Sequence, residues 1–142
     1  MSAKQISVFL ENKPGTLKKL TAALTEAKIN IRALSVADTK DFGIVRMLVH
    51  DTFNATSVLN NAGFMTSVKP VLVYEISDEA GSLDKVLANF EELKINIEYM
   101  YAFAGRKGAY MVFRVGKVTE EAETKLRKYG LVSLSDEDLA EV

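Results

Sequence analysis

The sequence predicts an α+β fold made of two similar units in tandem, each an antiparallel sheet with its helices on one face. Three observations lead to this prediction: the chain repeats itself, strand-like and helix-like segments follow one another in the same order in both copies, and the composition is that of a folded protein. Apolar residues make up 48% of the 142 residues, which excludes a disordered chain.

The repeat is clearest at 28–31, where Lys-Ile-Asn-Ile recurs unchanged 66 positions later at 94–97. The same shift pairs Gly15 with Gly81 and runs without a gap to Val49, and one extra residue then makes it 67. A repeat of this length indicates duplication of a whole folding unit. We therefore predict a first domain over 1–69 and a second over 70–142, the latter with a short acidic tail.

Each copy is predicted to hold six elements in the order strand, helix, strand, strand, helix, strand. In the first copy, β-forming residues predict strands over 5–11, 30–37, 44–49 and 64–69. Apolar residues at helical spacing predict a helix over 15–27, Asp41-Phe-Gly a turn, and Asn54 the cap of a second helix that ends near Gly63. This order is typical of a ferredoxin-like βαββαβ unit.

The last helix of the second copy has the clearest end signals. Thr119 is the predicted cap, Glu120 and Glu121 occupy the first turn, and basic residues precede Gly130, a charge order that suits the helix dipole. The tail that follows, 135–142, is predicted to be capped by Ser135.

An aromatic set in the second copy predicts an interface. It alternates along two neighbouring strands, and its members are Tyr99, Tyr101, Phe103, Tyr110 and Val112. Met111, Phe113 and Val115 suit the helix side better, which leaves the aromatic set on the open face of the sheet. An exposed apolar patch of that size usually marks a contact surface. The alternative is that the two faces are reversed and the set belongs to the core.

The segment Asn12-Lys-Pro-Gly-Thr-Leu17 joins the first strand to the first helix. A helix start presents unpaired N–H groups that attract an anion, and Gly15 lets the backbone approach a ligand. Asn12 and Asn30 each donate and accept hydrogen bonds, as a zwitterion with an ammonium beside a carboxylate requires. From the residues alone, a purely structural turn is the favoured explanation of the segment.

This segment, the strand before it and Ile29-Asn-Ile31 together resemble an ACT domain, a small βαββαβ regulatory module that binds amino acids. The first copy is particularly similar to the ACT domains of acetolactate synthase regulatory subunits and of phosphoglycerate dehydrogenase. The second copy resembles the family less closely, but Ala80-Gly-Ser-Leu83 and Ile95-Asn-Ile97 occupy the same places. The resemblance covers almost the whole chain and implies a stand-alone tandem ACT protein.

The resemblance also implies the binding residues, because family ligands lie where the strand-to-helix loop of one unit meets the second strand of a neighbour. In the first copy these positions are Asn12, Pro14, Gly15, Thr16, Leu17, Asn30 and Ile31. In the second copy they are Asp78, Gly81, Ser82, Leu83, Asn96 and Ile97. Leu10 stands where serine-binding members carry a His, which argues against serine as the ligand.

The function expected from the resemblance is a non-catalytic sensor that binds an amino acid, works as a homodimer and needs no cofactor. A regulatory subunit acting in trans on an amino-acid biosynthetic enzyme, such as acetolactate synthase, is the alternative. No catalytic or metal-binding set is predicted, because the chain has no Cys and its one His, His50, lies at a strand end. The sequence has no signal peptide or membrane span, so we expect a cytoplasmic protein.

An RNA-binding module is the remaining alternative, since RNA recognition motifs share the same element order. Lys107-Gly-Ala-Tyr-Met-Val-Phe113 matches part of their aromatic signature. Against this reading, the first copy has no such segment and the net charge is −1, which does not favour a nucleic-acid partner.

Overall fold

The computed structural model describes residues 2–38 and 41–142. Residues 4–69 form one compact unit, here called the first unit, and residues 70–142 together with the start of the chain form the second unit. Both are α+β with antiparallel strands, which confirms the predicted fold class. Within the described residues, no helix is long and apolar enough to cross a membrane.

The first unit has the predicted βαββαβ order. Its elements are β1 (Ala3–Glu11), α1 (Thr16–Glu26), β2 (Ile31–Asp38), β3 (Phe42–Val49), α2 (Thr52–Asn61) and the first part of β4 (Met65–Ile76). The strand order is β2-β3-β1-β4, so β2 is the outer strand. One face of this sheet packs against both helices, and the buried residues are Ile6, Val8, Leu10, Leu20, Leu24, Ile29, Val45, Met47, Val49, Ala55 and Leu59.

The second unit uses the rest of β4, followed by α3 (Ser82–Glu92), β5 (Tyr99–Ala104), β6 (Ala109–Arg114), a 3₁₀ turn (Gly116–Val118), α4 (Thr119–Arg127) and α5 (Asp136–Glu141). The strand order is β4-β6-β5. Helices α3 and α4 cover one face, and the buried residues are Leu72, Tyr74, Val86, Phe90, Phe113, Val115, Ala122 and Leu126. The prediction that Phe113 and Val115 face the helices is therefore confirmed.

Two predicted strand boundaries are wrong. The last strand of the first copy and the first strand of the second are one continuous strand, β4, because no glycine or turn interrupts 65–76. The predicted last strand of the second copy does not form: residues 131–135 have no regular secondary structure. That segment instead bonds to Val73 through the Leu134 amide (2.8 Å to the Val73 carbonyl) and the Ser133 hydroxyl (3.1 Å from the Val73 amide).

Two predicted helix caps are also wrong, whereas a third is confirmed. Asp51, and not Asn54, caps α2, since its carboxylate accepts a hydrogen bond from the Asn54 amide at 3.1 Å. Thr119 already lies inside α4, and its hydroxyl donates to the Gly116 carbonyl at 2.7 Å. Ser135 does cap α5, as predicted. Of the predicted turn at 41–43, Phe42 and Gly43 already belong to β3, and the neighbouring residues 39–40 lie outside the described residues.

The aromatic set lies on the sheet face opposite the helices, but it is not an exposed patch. Tyr110 is 3% exposed and Val112 is fully buried, while Tyr99, Tyr101 and Phe103 are half-buried. The Phe103 and Tyr110 rings stack on each other at 5.2 Å between centroids. The expectation of an open aromatic surface is wrong for Tyr110 and Val112, because other parts of the chain exclude water from them.

The C-terminal tail approaches this face in the second unit. Gly105, at the end of β5, lies against both the Tyr110 ring and the Val142 side chain, and a Cβ at Gly105 would come within 2.6 Å of that ring. Leu139 of α5 is 1% exposed, so the tail is a packed element. The sequence pattern identified the tail's cap but gave no indication of where the tail would pack.

Candidate ligand-binding site

A cavity of about 450 Å³ lies beside the β1–α1 loop of the first unit and is called the loop cavity below. The end of β1, the loop itself, the first turn of α1 and the residues after α2 form its wall. The lining residues are Phe9, Leu10, Glu11, Lys13, Pro14, Gly15, Thr16, Lys19, Gly63 and Phe64. All of them belong to the first unit.

Local hydrogen bonds hold the loop in shape. The Lys13 amide donates to the Glu11 carbonyl at 3.0 Å, and the Thr16 hydroxyl donates to the Lys13 carbonyl at 3.2 Å. The Asn12 amide donates to the Asp41 carbonyl at 3.2 Å, which ties the loop to the residue before β3. Hydrogen bonds within the loop and to Asp41 therefore define its shape in the single chain.

The start of α1 is left open by Gly15. This residue is the N-cap, with φ of 88° and ψ of −16°, a left-handed conformation that favours glycine. Glycine has no side chain to accept a hydrogen bond from the first helical turn, and no described side chain caps it. The Thr16 amide donates to the Lys13 carbonyl at 3.4 Å. The next two amides of α1, those of Leu17 and Lys18, and the positive end of the helix dipole are therefore the groups available to an anion.

Two lysines and one carboxylate provide the charge of the loop cavity. The Lys13 ammonium lies 2.9 Å from the Glu11 carboxylate. This contact lowers the pKa of Glu11 and raises the pKa of Lys13, through the hydrogen bond first and the opposite charge second. Both side chains are well exposed, so the pair is a minor source of stability.

Lys19 and Phe64 also line the loop cavity, Lys19 with a cation and Phe64 with an aromatic ring. The Lys19 ammonium lies over the Phe64 ring, 5.6 Å from its centroid, within the range of a cation–π contact. Phe64 follows Gly63, which has a φ of 92°, and the Phe64 amide donates to the Leu59 carbonyl at 3.0 Å. The turn that ends α2 thus fixes the ring beside the start of α1.

The loop cavity brings together only part of the predicted set. Pro14, Gly15 and Thr16 line it, whereas Asn12, Leu17, Asn30 and Ile31 do not. Asn12 and Asn30 are exposed in the single chain. Sequence reasoning missed Lys19 and Phe64, which lie far apart along the chain. The helical spacing of Lys19 from Thr16 could have placed it near the loop, but nothing in the sequence pattern pointed to Phe64.

The second unit repeats the backbone of this loop with different charges. Gly81 is the N-cap of α3, with φ of 90° and ψ of −5°, nearly the same values as at Gly15. The duplicated positions carry Glu79 in place of Lys13 and Asp84 in place of Lys18. The surroundings are therefore more acidic than in the first unit. The predicted residues here are Asp78, Gly81, Leu83 and Asn96, all exposed, and Ser82 and Ile97, both half-buried.

The RNA-like segment of the second unit does not present its key aromatic residue. Tyr110 is 3% exposed and stacks on Phe103, so its ring face is occupied within the chain. Stacking on bases requires an accessible ring. This burial argues against base recognition by 107–113.

Comparison with known proteins bears on the whole chain. The family model described as an ACT domain pair matches residues 1–142. Protein BT0572 from Bacteroides thetaiotaomicron, a crystal structure, is 34% identical over 100% of this chain and 98% of that one, with a TM-score of 0.91. No curated protein matches the chain.

More distant structures share the fold. The ligand-free regulatory subunit of aspartate kinase from Thermus thermophilus is 15% identical over 89% of this chain and 91% of that one, with a TM-score of 0.64. The corresponding subunit from Thermus flavus is 16% identical over 90% and 92%, with a TM-score of 0.60. Similarity at this level of identity concerns the fold alone.

Proposed function

Because the chain belongs to the ACT domain pair family, which is typical of small-molecule-binding regulatory proteins, we propose that it is a non-catalytic sensor of an amino acid. The ligand occupies the loop cavity of the first unit. A cytoplasmic location and the absence of catalytic chemistry are parts of this proposal, and both come from the sequence.

The observation that carries the proposal is the loop cavity beside an uncapped helix start. Its volume of about 450 Å³ is within the range of about 300–1,000 Å³ common for small-molecule sites. The ligand carboxylate binds at the open first turn of α1, beyond Gly15. The Glu11 carboxylate at the rim provides a partner for the ligand ammonium.

A second copy of the chain completes the site in this proposal. Asn30 and Ile31 stand at the start of β2, away from the cavity of their own unit, so they reach a ligand only in a neighbour. The outer position of β2 supports such pairing, since an edge strand offers unpaired backbone groups. Leu34 and Val36 of β2 are 38% and 50% exposed, which gives this edge an apolar side.

Regulation then follows from linkage. A ligand that contacts two copies binds the paired arrangement more tightly than the separate chains, and it therefore shifts the population towards that arrangement. A coupling of about 1–3 kcal/mol is ordinary for such a switch. A biosynthetic enzyme that contacts only one arrangement would be regulated in trans, which is the second candidate function.

The equivalent loop of the second unit has the same backbone but a more acidic setting, with Asp78, Glu79 and Asp84 around Gly81. We expect weaker binding of a carboxylate there, because like charges repel it.

A thermal-shift screen against the twenty amino acids tests the proposal. A ligand present at about 100 times its Kd raises the free energy of unfolding by about 2.7 kcal/mol, which shifts the Tm of so small a protein by several degrees. We expect one amino acid, or a few related ones, to stabilise the protein selectively. Uniformly flat melting curves would contradict an amino-acid sensor.

Two variants then test the location of the site. Asn12→Ala and Asn30→Ala are expected to weaken binding of the selected amino acid, since in this proposal both side chains reach the ligand where the loop of one copy meets β2 of the other. Both side chains are exposed in the single chain, so the Tm of the free protein should stay nearly unchanged. Asn61→Ala, an exposed asparagine at the end of α2, is the matched control. Unchanged affinity in both site variants would show that the ligand binds elsewhere.

A further inference from the structure

The charged side chains around the loop cavity do not balance. Lys13, Lys19 and Glu11 line it, which leaves one net positive charge. The start of α1 adds its partial positive charge to this excess. An amino acid with an uncharged side chain carries no net charge, so its binding would leave the excess in place.

The two lysines differ in how their charges are used. Lys13 pairs with Glu11 at 2.9 Å. Lys19 forms no ion pair with a carboxylate among the residues that the structure describes, and its recorded contact is the ring of Phe64. A ring face orients an ammonium without neutralising it. Lys19 is therefore a cation in the cavity wall that the Phe64 ring orients and that no described carboxylate neutralises.

The second unit lacks this arrangement, although its loop has the same backbone. Lys85 occupies the position of Lys19, but Leu131 replaces Phe64, so the ring that Lys19 contacts is not repeated in the second copy. Glu79 replaces Lys13. The loop of the second unit can thus serve as an internal control, because it keeps the backbone of the first loop but lacks the counterpart of the Lys19–Phe64 contact.

We infer that the ligand of the loop cavity is a dicarboxylic amino acid, held by its α-carboxylate at the start of α1 and by its side-chain carboxylate at Lys19. The inference rests on the proposed function, since it names the ligand class of that same cavity. The single negative charge of such a ligand matches the single positive charge of the lining. A second carboxylate also provides a charged hydrogen-bond acceptor for the Lys19 ammonium, which has no ion-pair partner among the described residues.

Paired ligands of nearly equal shape test the inference. Isothermal titration of the whole protein compares aspartate with asparagine and glutamate with glutamine, since in each pair an amide of nearly the same size replaces the charged carboxylate. We expect one dicarboxylate to bind about tenfold or more tightly than its amide, as is usual for a charge-assisted hydrogen bond. Added salt should reduce this preference.

Variants identify the residue responsible. Lys19→Gln is expected to abolish the preference, so that acid and amide bind with Kd values within about twofold, which is a negligible difference in binding free energy. Lys18→Gln, which changes the neighbouring exposed lysine outside the cavity, and Lys85→Gln, at the duplicated position, should both keep it.

The outcomes separate the inference from the proposed function. Tighter binding of the amide or of another uncharged amino acid, with loss of affinity in Asn30→Ala, would overturn the dicarboxylate and leave the sensor intact. A preference for the acid that survives Lys19→Gln would also overturn it. Lack of binding by all twenty amino acids would overturn both.

Discussion

At the residue scale, the duplicated Lys-Ile-Asn-Ile sequence coincides with an unusual backbone conformation. Lys28 and Lys94 have positive φ values, 59° and 57°, at the ends of α1 and α3. The next amide in each copy, that of Ile29 or Ile95, donates at 2.9 Å to a carbonyl in the last turn of the helix. The repeat thus preserves a helix-ending turn of the kind usually made with glycine.

Lys28→Gly should stabilise the protein. A non-glycine residue in the left-handed region is strained, so glycine should raise the free energy of unfolding by about 0.5–1 kcal/mol, after its larger loss of chain entropy is counted. Urea unfolding measures the change. Ala22→Gly, at an exposed position in the interior of α1, is the control and should lower the free energy of unfolding by about 1 kcal/mol. Equal losses in both variants would contradict the argument from backbone strain.

Tyr74 places a hydroxyl group in the core of the second unit, where no described residue bonds to it. An unpaired buried polar group costs about 1–3 kcal/mol, so Tyr74→Phe should raise the free energy of unfolding at pH 7 by about 1 kcal/mol. Tyr129→Phe is the control: that tyrosine is 41% exposed and its hydroxyl bonds to Glu92, so its removal should give no gain in stability. A clear loss of stability in Tyr74→Phe would show that the hydroxyl makes a stabilising bond.

The same residue should make the protein sensitive to alkali. Burial, and secondarily the charge of Glu123, raises the pKa of Tyr74 well above its usual value. Above pH 10 or so, the unfolded chain loses this proton while the folded chain keeps it, so stability falls by about 1.4 kcal/mol per pH unit. Tyr74→Phe should remove this part of the decline between pH 9 and pH 11 in urea unfolding. An identical decline in both proteins would refute the assignment.

At the scale of the element, α5 depends on a capping box. The Asp138 amide donates to the Ser135 hydroxyl at 3.2 Å, and the Ser135 amide donates to the Asp138 carboxylate at 2.8 Å. The bond from the Ser135 amide, and after it the bond from the Ser135 hydroxyl to the same carboxylate at 3.0 Å, lower the pKa of Asp138. Leu139 is buried, so loss of the helix would also expose apolar surface.

Ser135→Ala should destabilise the protein by about 1 kcal/mol at neutral pH. The stabilisation linked to Asp138 is present above its unfolded pKa and is lost as the pH falls through the lower, folded value. In Ser135→Ala the amide at 135 still donates to the Asp138 carboxylate, and only the hydroxyl bond, the smaller cause of the lowered pKa, is lost. The difference between wild type and Ser135→Ala should therefore shrink only in part as the pH falls towards 3 in urea unfolding. Ser57→Ala, at an exposed position inside α2, should show little difference at either pH. A Ser135→Ala difference that is constant with pH would show that the bond from the Ser135 hydroxyl to the Asp138 carboxylate does not contribute to it.

The sequence alone predicted those helices, strands and caps that depend on residues close together along the chain. Apolar periodicity placed α1 and β3, and the Ser135 pattern identified the cap of α5. It failed where the outcome depends on packing partners that are distant along the chain. Residues 131–135 have strand-like composition, yet side-chain and backbone bonds to Val73 replace a regular ladder. The burial of Tyr110 and Val112 likewise depends on what covers their face.

The candidate site shows the same division. The resemblance predicted Gly15 and its neighbours because their role is local, set by a left-handed backbone at a helix start. The Lys19–Phe64 contact depends on how α1 and the end of α2 come together, and no local pattern encodes that approach. Whether Asn30 and Ile31 contribute to the binding site depends on a second chain, and the pattern of a single sequence does not show how two chains meet.

At the scale of the whole molecule, duplication has produced two units with the same loop backbone and different surroundings. Gly15 and Gly81 have nearly the same φ and ψ, yet the nearby charges differ in sign at 13 and 79. In the proposed function, one copy binds the ligand and the other has diverged from it. The proposed paired arrangement makes such a protein responsive, because ligand and partner would share one surface.

The proposed pairing through β2 can be tested without knowing the ligand. Val36 pairs with the buried Val45 in the sheet register, so it lies on the helix side of β2, yet it is 50% exposed. Val36→Lys should leave the fold intact and weaken the dimer, because a lysine on an edge strand opposes pairing with another chain. Light scattering coupled to size exclusion measures the mass across a dilution series.

Val132→Lys is the control, since Val132 is 64% exposed in a segment without regular structure in the second unit. We expect a dimer for wild type and Val132→Lys, and dissociation at higher protein concentration for Val36→Lys. By linkage, an amino acid that binds across two copies should oppose that dissociation. Dimers of equal stability in all three proteins would place the contact elsewhere, and Asn30 and Ile31 would then have no route to the loop cavity of a second chain.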